Sequence, residues 1–207
     1  MLDRFKNFWQ SVMLAPFVNL FIRLGISPDA VTLVGTLGVS AGALVFFPQG
    51  MLLTGVLVIT AFIFSDLIDG AMARASGRTS KFGAFFDSTL DRIGDGAIFG
   101  GLVLYFAGPG DSYLYLCLTL YCLVMGAVTS YARAKAESLG MQAEVGIAER
   151  ADRIVAILVT TGLGALFDVP VLMYDAIWVL AVANTVTVFQ RILMVRRQSL
   201  TDPAPGQ

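Results

Sequence analysis

Four aspartates, Asp66, Asp69, Asp87 and Asp91, fall in two short runs, Asp66-Leu67-Ile68-Asp69-Gly70-Ala71-Met72-Ala73-Arg74 and Gly83-Ala84-Phe85-Phe86-Asp87-Ser88-Thr89-Leu90-Asp91. The first pair is spaced i, i+3 and the second i, i+4. On a helix both spacings put two carboxylates on one face, about a turn apart. Four carboxylates this close repel one another and desolvate poorly unless a cation sits between them. All-oxygen donors suit the hard divalent cations Mg2+ and Mn2+, not zinc or copper. Four could hold two ions, the arrangement that clamps the attacking and leaving oxygens of a phosphoryl transfer. Gly70 lets a ligand approach the backbone, Ala73 is small, and Arg74 offers a planar fork for phosphate oxygens. Thr79 and Ser80 add hydroxyls, and a helix beginning near Gly83 presents an anion-favouring N-terminus. The set fits a lipid-borne diphosphate. Helix caps or ion pairs with Arg74, Arg78 and Lys81 could account for one aspartate pair. They do not account for four acidic groups in apolar surroundings. Asp95, one turn beyond Asp91, either tunes the site or bonds a neighbouring helix. The chain has no histidine, so proton transfer falls to a carboxylate, Lys, Tyr or Cys. Cys117 and Cys122, five apart, face different sides of a helix and read as two buried apolar thiols, not a disulfide or metal pair.

The elements that must position these groups are apolar helices. The 207 residues are 57% hydrophobic and 14% charged, against roughly 25% charged in soluble domains. The expected fold is an all-α integral membrane protein with six transmembrane helices over 31–47, 51–73, 84–107, 113–132, 154–167 and 171–193, the short fifth with room to extend back to Ala151 through Asp152 and Arg153. Turn residues separate them at Pro48-Gln49-Gly50, Gly108-Pro109-Gly110-Asp111-Ser112 and Phe167-Asp168-Val169-Pro170. Phe5, Phe8, Trp9, Val12 and Met13 recur opposite Arg4, Lys6 and Gln10, which predicts an amphipathic juxtamembrane helix within 1–26. A single membrane domain then covers 1–198, and the polar tail 199–207 has a disordered composition. All fourteen basic residues belong to one side of this six-span arrangement. The positive-inside rule therefore places both termini and the aspartates on the cytoplasmic face of the cell membrane. Gly96-x3-Gly100 is a small-residue pattern suited to a dimer contact or to internal packing.

The spacing Asp66-x2-Asp69-Gly70-x2-Ala73-Arg74-x8-Gly83-x3-Asp87-x3-Asp91 resembles, without departure, the signature of the CDP-alcohol phosphotransferases. The likeness extends to the family's plan of a juxtamembrane helix, six membrane helices and a homodimer. It implies a reaction in which an alcohol attacks the β-phosphorus of a CDP-linked lipid and CMP leaves. It also implies roles. Asp66, Asp69 and Asp87 hold the metals, and Asp91 is the general base with a share in metal binding. Gly70, Arg74 and Ser80 contact the nucleotide diphosphate. The segment Asp29, Ala30, Val31 and Thr32 supplies a second nucleotide contact. By its residues alone, Pro28-Asp29 before an apolar run also reads as a helix start.

The acceptor is suggested by the remaining cations. Lys135, Arg153 and Arg191 sit near the headgroup depth of spans four, five and six and could surround one small anion. They could equally be anchors that snorkel to lipid headgroups. The runs Ser130-Tyr131-x-Arg133-Ala134-Lys135-Ala136-Glu137 and Ile147-Ala148-Glu149-Arg150-Ala151-Asp152-Arg153 resemble the actinobacterial branch of the family that uses inositol phosphate. In that branch Lys135, Arg153 and Arg191 bind the acceptor phosphate, and CDP-diacylglycerol is the donor. Glycerol 3-phosphate is the competing acceptor. A divalent cation transporter is the alternative of a different class, although transporter sites lie nearer the bilayer midplane. Nothing in the pattern suggests nucleic acid.

Overall fold

The computed structural model describes residues 16, 18, 20–75 and 80–201, except the side chains of 65–67, 69, 70 and 73–75. The expected juxtamembrane helix over Phe5 to Met13 lies outside the described residues, as do the side chains of Asp66, Asp69, Gly70 and Arg74. Among the described residues the protein is all helical. The long helices are α1 (Pro28–Phe46), α2 (Leu52–Ala75), α3 (Lys81–Ala107), α4 (Tyr113–Ser138), α5 (Arg150–Phe167) and α6 (Val171–Thr201).

The breaks fall where the turn residues predict them. A 3-10 turn over Phe47–Gln49 ends at Gly50, whose φ of 77° is left-handed and cheapest for glycine. Asp168 closes α5 in the same region, with φ 57°. The helices run further than the apolar stretches alone indicate. Past Ala132, α4 continues to Ser138 through good helix formers, helped by an Arg133–Glu137 pair at 2.8 Å and i, i+4 spacing. At the other end, α5 starts at Arg150, where the Glu149 N–H donates to Asp152 Oδ2 at 3.2 Å. The last helix runs to Thr201, so Ser199 and Leu200 are helical, while 202–207 lie outside the described residues.

Packing follows a closed circuit. α1 rests on α2 and α3, α3 on α4, α4 on α6, α6 on α5, and α5 on α2. Every helix supplies the core inside: Val39 and Ala43, Val56 and Ile59, Ile98 and Leu102, Cys122, Ile157 and Leu158, and Ile177 and Leu180. One close approach is built into the circuit. A Cβ on Gly101 would lie 2.6 Å from the Ala43 carbonyl oxygen, so only glycine lets α3 come this near α1. Phe106, Tyr115 and Tyr174 stack at the end away from the aspartates, with Tyr115 and Tyr174 centroids 4.3 Å apart.

The outward faces are apolar. Val155, Val159, Leu163 and Leu166 on α5, and Val179, Val182, Phe189 and Leu193 on α6, are all exposed. Water would penalise such stripes and lipid would not. Among the described residues three segments, Pro28–Gln49, Tyr113–Ser138 and Val171–Thr201, are long and apolar enough to cross a bilayer. Among the described residues α2 supplies the apolar stretch Leu52–Phe64, and α3 and α5 carry charges at one end. Those charges belong to the site. The chain is a multi-pass membrane protein. Cys122 is buried and its thiol donates to the Ile177 carbonyl at 3.5 Å. Cys117 corrects the expectation of two buried thiols: the five-residue offset turns it outward, and it is exposed.

Candidate active site

Two helix starts converge at one end of the circuit. Ser27 caps α1, its Oγ accepting the Ala30 N–H at 3.2 Å, with Pro28 at the first helical position. The cap is therefore Ser27, and Asp29 sits in the first turn. Ser80 caps α3 and accepts the Gly83 N–H at 2.9 Å. A Cβ on Gly83 would stand 3.2 Å from Ser80 Oγ and 3.6 Å from Asp29 Oδ1. Ser80 and Asp29, expected to contact the same diphosphate, thus flank one small residue where two N-termini meet, an anion-favouring place. Ala30 is exposed and Val31 and Thr32 are buried. Val31 packs with Met72 and Val18, which ties the start of α1 to the end of α2. Thr32 Oγ1 donates to the Pro28 carbonyl at 3.1 Å. The positions of Asp66, Asp69, Gly70 and Arg74 fall on the last turns of α2.

On α3, Asp87 is exposed and Asp91 is half-buried. Asp91 Oδ1 receives Arg150 Nη1 at 2.8 Å, and the same guanidinium donates through Nε to Asp95 Oδ1 at 2.9 Å. Asp95 Oδ2 lies 3.8 Å from Arg153 Nη2 and 3.9 Å from Arg92 Nη2. Asp95 is therefore the bridge from α3 to the first turn of α5, one of the two roles its spacing allowed. Arg92 also donates to Ser130 Oγ on α4.

Beside Asp91 opens a cavity of about 660 Å³. Its lining includes Arg92, Arg133, Arg150, Arg153 and Arg191, with the carboxylates Glu137 and Glu149. Arg153 is 2% exposed and Arg191 4%. Both are held from behind by backbone. Arg153 Nη1 donates to the Ala148 carbonyl at 3.2 Å, while Arg191 Nε reaches the Val145 carbonyl at 2.9 Å and Nη1 the Thr129 carbonyl at 2.6 Å. Arg153 Nη2 is buried without a hydrogen-bond partner among the described residues. A buried guanidinium with an unmet donor invites an anion. Gly126 makes room for it, since a Cβ there would lie 3.4 Å from Arg153 Nε. At the rim Arg133 is matched by Glu137 at 2.8 Å and Glu144 at 2.6 Å.

Two of the three expected acceptor cations, Arg153 and Arg191, thus share the cavity. Lys135 is exposed on the last turn of α4 and lies outside the lining. Sequence reasoning did not single out Arg92, Arg133 and Arg150. The one available signal for Arg150 was its place beside Asp152 and Arg153 at the start of a short apolar helix, a position that turns the side chain inward at the charged end.

A bundle of apolar helices with acidic and arginine-rich groups gathered at one end defines a membrane enzyme acting on phosphate esters. Residues 25–195 match the model of the CDP-alcohol phosphatidyltransferase family, and the chain belongs to that family. It is 50% identical over 205 residues to the phosphatidylinositol phosphate synthase of Streptomyces avermitilis, covering 96% of this chain and 84% of that protein. It is 48% identical over 204 residues to the enzyme of the same name from Cutibacterium acnes, covering 95% and 98%. The fold matches the crystal structure of Mycobacterium tuberculosis phosphatidylinositol phosphate synthase with CDP-DAG bound, with TM-score 0.85, 38% identity, and 92% and 95% of the two chains covered. The structure of that enzyme with manganese and citrate matches equally, with TM-score 0.85 and coverage of 92% and 90%.

Proposed function

We propose that this protein transfers a phosphatidyl group from CDP-diacylglycerol to a hydroxyl of 1D-myo-inositol 3-phosphate, giving phosphatidylinositol phosphate and CMP. The observation that carries the reading is the arginine-lined cavity beside Asp91, with Arg153 buried and one of its donors unmet. Arg92 and Arg150 share Asp91 and Asp95, and Arg133 is matched at the rim, so the groups left for an anionic occupant are the buried Arg191 and the unmet donor of Arg153. Neutral inositol, zwitterionic serine or cationic choline would bring no net negative charge to these guanidiniums. The relatives named above are synthases of the same product.

The donor lies, in this reading, over the joined starts of α1 and α3. Ser80, Gly70 and Arg74, with Asp29, Ala30, Val31 and Thr32, hold its cytidine diphosphate. Val31 and Thr32 contribute through backbone and packing, because their side chains are buried. Asp66, Asp69, Asp87 and Asp91 would hold divalent metal, Mg2+ or Mn2+, as two ions. The donor set fits such ions: all four groups are carboxylates, and Asp87 stands exposed one turn from Asp91, with Ser88 lining the cavity between them. Bound metal neutralises charge on the diphosphate and the departing CMP. Arg153 and Arg191 fix the acceptor phosphate, with Arg92 and Arg133 nearby and Lys135 steering from the surface. Asp91 takes the hydroxyl proton as oxygen bonds to the β-phosphorus and the bond from that phosphorus to the bridging oxygen breaks. Arg150 holds Asp91 Oδ1 and so fixes which carboxylate oxygen faces the acceptor. We place the site and both termini on the cytoplasmic side of the cell membrane, where all fourteen basic residues belong. We further expect a homodimer; a Cβ on Gly96 or Gly100 would meet nothing within 4 Å of the single chain.

Purified protein in nanodiscs, given CDP-diacylglycerol and Mg2+, is offered inositol phosphate, glycerol 3-phosphate or free inositol, and lipid product and CMP are measured. Product only, or far faster, with inositol phosphate is expected, and chelation of the metal should stop it. Preference for glycerol 3-phosphate or free inositol would overturn the acceptor assignment.

A further inference from the structure

One buried threonine, Thr187, bonds the loop whose carbonyls meet the buried arginines of the cavity. The loop 139–149 between α4 and α5 returns across α6, and Thr187 on α6 is completely buried beneath it. Its Oγ1 donates to the Ala183 carbonyl at 2.8 Å and accepts two loop amides, those of Ile147 and Ala148, each at 3.2 Å. Gly146 lies flat on the same side chain. A Cβ there would stand 2.4 Å from Thr187 Cγ2, and its φ of 150° disfavours any other residue. The clamped segment is the one that grips the arginines. Ala148 gives its N–H to Thr187 and its carbonyl to Arg153, and Val145, one residue before Gly146, gives its carbonyl to Arg191. Arg191 is itself one turn beyond Thr187 on α6. The outer part of the loop has separate ties, the Gln142–Gln198 pair at 2.9 and 2.6 Å and Arg133–Glu144 at 2.6 Å. These keep the loop attached without setting the Val145 and Ala148 carbonyls.

We propose that Thr187 is a positioning residue for the acceptor: its hydroxyl latches residues 146–148 so that the Val145 and Ala148 carbonyls aim Arg191 and Arg153 into the cavity. The proposal rests on the reading of that cavity as the acceptor-phosphate site. Thr187 touches no substrate and acts through the loop. Thr187→Val keeps the volume but leaves two amides without an acceptor, so the loop lifts, Arg153 loses the Ala148 carbonyl and Arg191 loses the Val145 carbonyl while keeping that of Thr129.

The test compares wild type, Thr187→Val, Thr187→Ser and Gly146→Ala in nanodiscs. Two measurements are made: steady-state kinetics with inositol phosphate and CDP-diacylglycerol varied in turn, and hydrogen exchange of the 146–148 amides. Thr187→Val should raise the KM for inositol phosphate roughly tenfold, the loss of about one good hydrogen bond per arginine. The KM for the CDP-lipid should stay unchanged, and exchange at 147 and 148 should speed up. Thr187→Ser should restore both readouts. Gly146→Ala, which pushes the loop from the other side, should reproduce the Thr187→Val pattern and serves if that variant does not fold. Faster exchange with an unmoved acceptor KM would overturn the proposal, as would both KM values rising together. Unchanged exchange in both Thr187→Val and Gly146→Ala would also overturn it. If wild type does not use inositol phosphate at all, the acceptor assignment fails, while the exchange data still report whether the latch exists.

Discussion

Asp95→Asn tests the electrostatic centre of the site most directly. The Asp95 side chain is 13% exposed and accepts Arg150 Nε at 2.9 Å, with Arg153 Nη2 at 3.8 Å and Arg92 Nη2 at 3.9 Å. Asparagine keeps the shape and removes the charge. Arg150 retains Asp91 at 2.8 Å and is one-third exposed, so its loss is partly offset and partly screened. Arg92 likewise keeps Asp91 at 3.8 Å. Arg153 is in a different position, at 2% exposure, and Asp95 is the only carboxylate within 4 Å of it among the described residues. Removing one partner of a buried pair costs about 3–5 kcal/mol. The retained Arg150 and Arg92 contacts bring the expectation below that range, to about 2–3 kcal/mol. At roughly 2–4 °C per kcal/mol for a chain of this length, the melting temperature should fall by about 5–10 °C. Thermal unfolding in one fixed detergent, followed by fluorescence-detected size exclusion, measures it. Asp87→Asn is the control. Asp87 is exposed and outside these ion pairs, so its loss should leave metal-free stability near wild type. Asp95→Asn melting within a degree or two of wild type, or no lower than Asp87→Asn, would refute the pairing.

Three further outcomes follow from the geometry. Gly101→Ala should destabilise the protein by about 1–3 kcal/mol, read by the same melt, because its new methyl would sit 2.6 Å from the Ala43 carbonyl and neither helix backbone can yield cheaply. Arg191→Gln should raise the acceptor KM by an order of magnitude or more, because a buried, backbone-anchored donor is lost. Lys135→Gln, on an exposed side chain outside the cavity, should change it only about twofold; initial-rate kinetics separate the two. Asp91→Asn should still bind CDP-lipid in an equilibrium assay while turnover drops about 10²–10⁴-fold; near-normal turnover would remove Asp91 from the role of base.

What the sequence discloses and what it conceals divide along physical lines. Helix number and breaks were legible because apolar runs and residues such as Gly50 and Asp168 act locally. The end of α4 was not, because Arg133 to Ser138 are polar yet helical, held by a salt bridge that hydropathy ignores, whereas the start of α5 was legible to within a residue. The depth of Arg153 and Arg191 along the spans left open whether they anchor to headgroups or face a cavity, and the structure buries both in one cavity lining. The roles of Arg92, Arg133 and Arg150 depend on which way each helix is turned, and Lys135 lies outside the cavity for the same reason. The order in which the helices touch, α1–α2–α5–α6–α4–α3, joins residues far apart in the chain and leaves no periodic trace.

The grip on Arg191 has a consequence for how this protein can diverge. Its guanidinium is steadied by the main-chain oxygens of Val145 and Thr129, not by their side chains. A peptide oxygen persists through any substitution that spares the local backbone. Mutational drift at position 145 is therefore compatible with an undisturbed Arg191, whereas Gly146 has no such latitude, since any side chain there would run into Thr187.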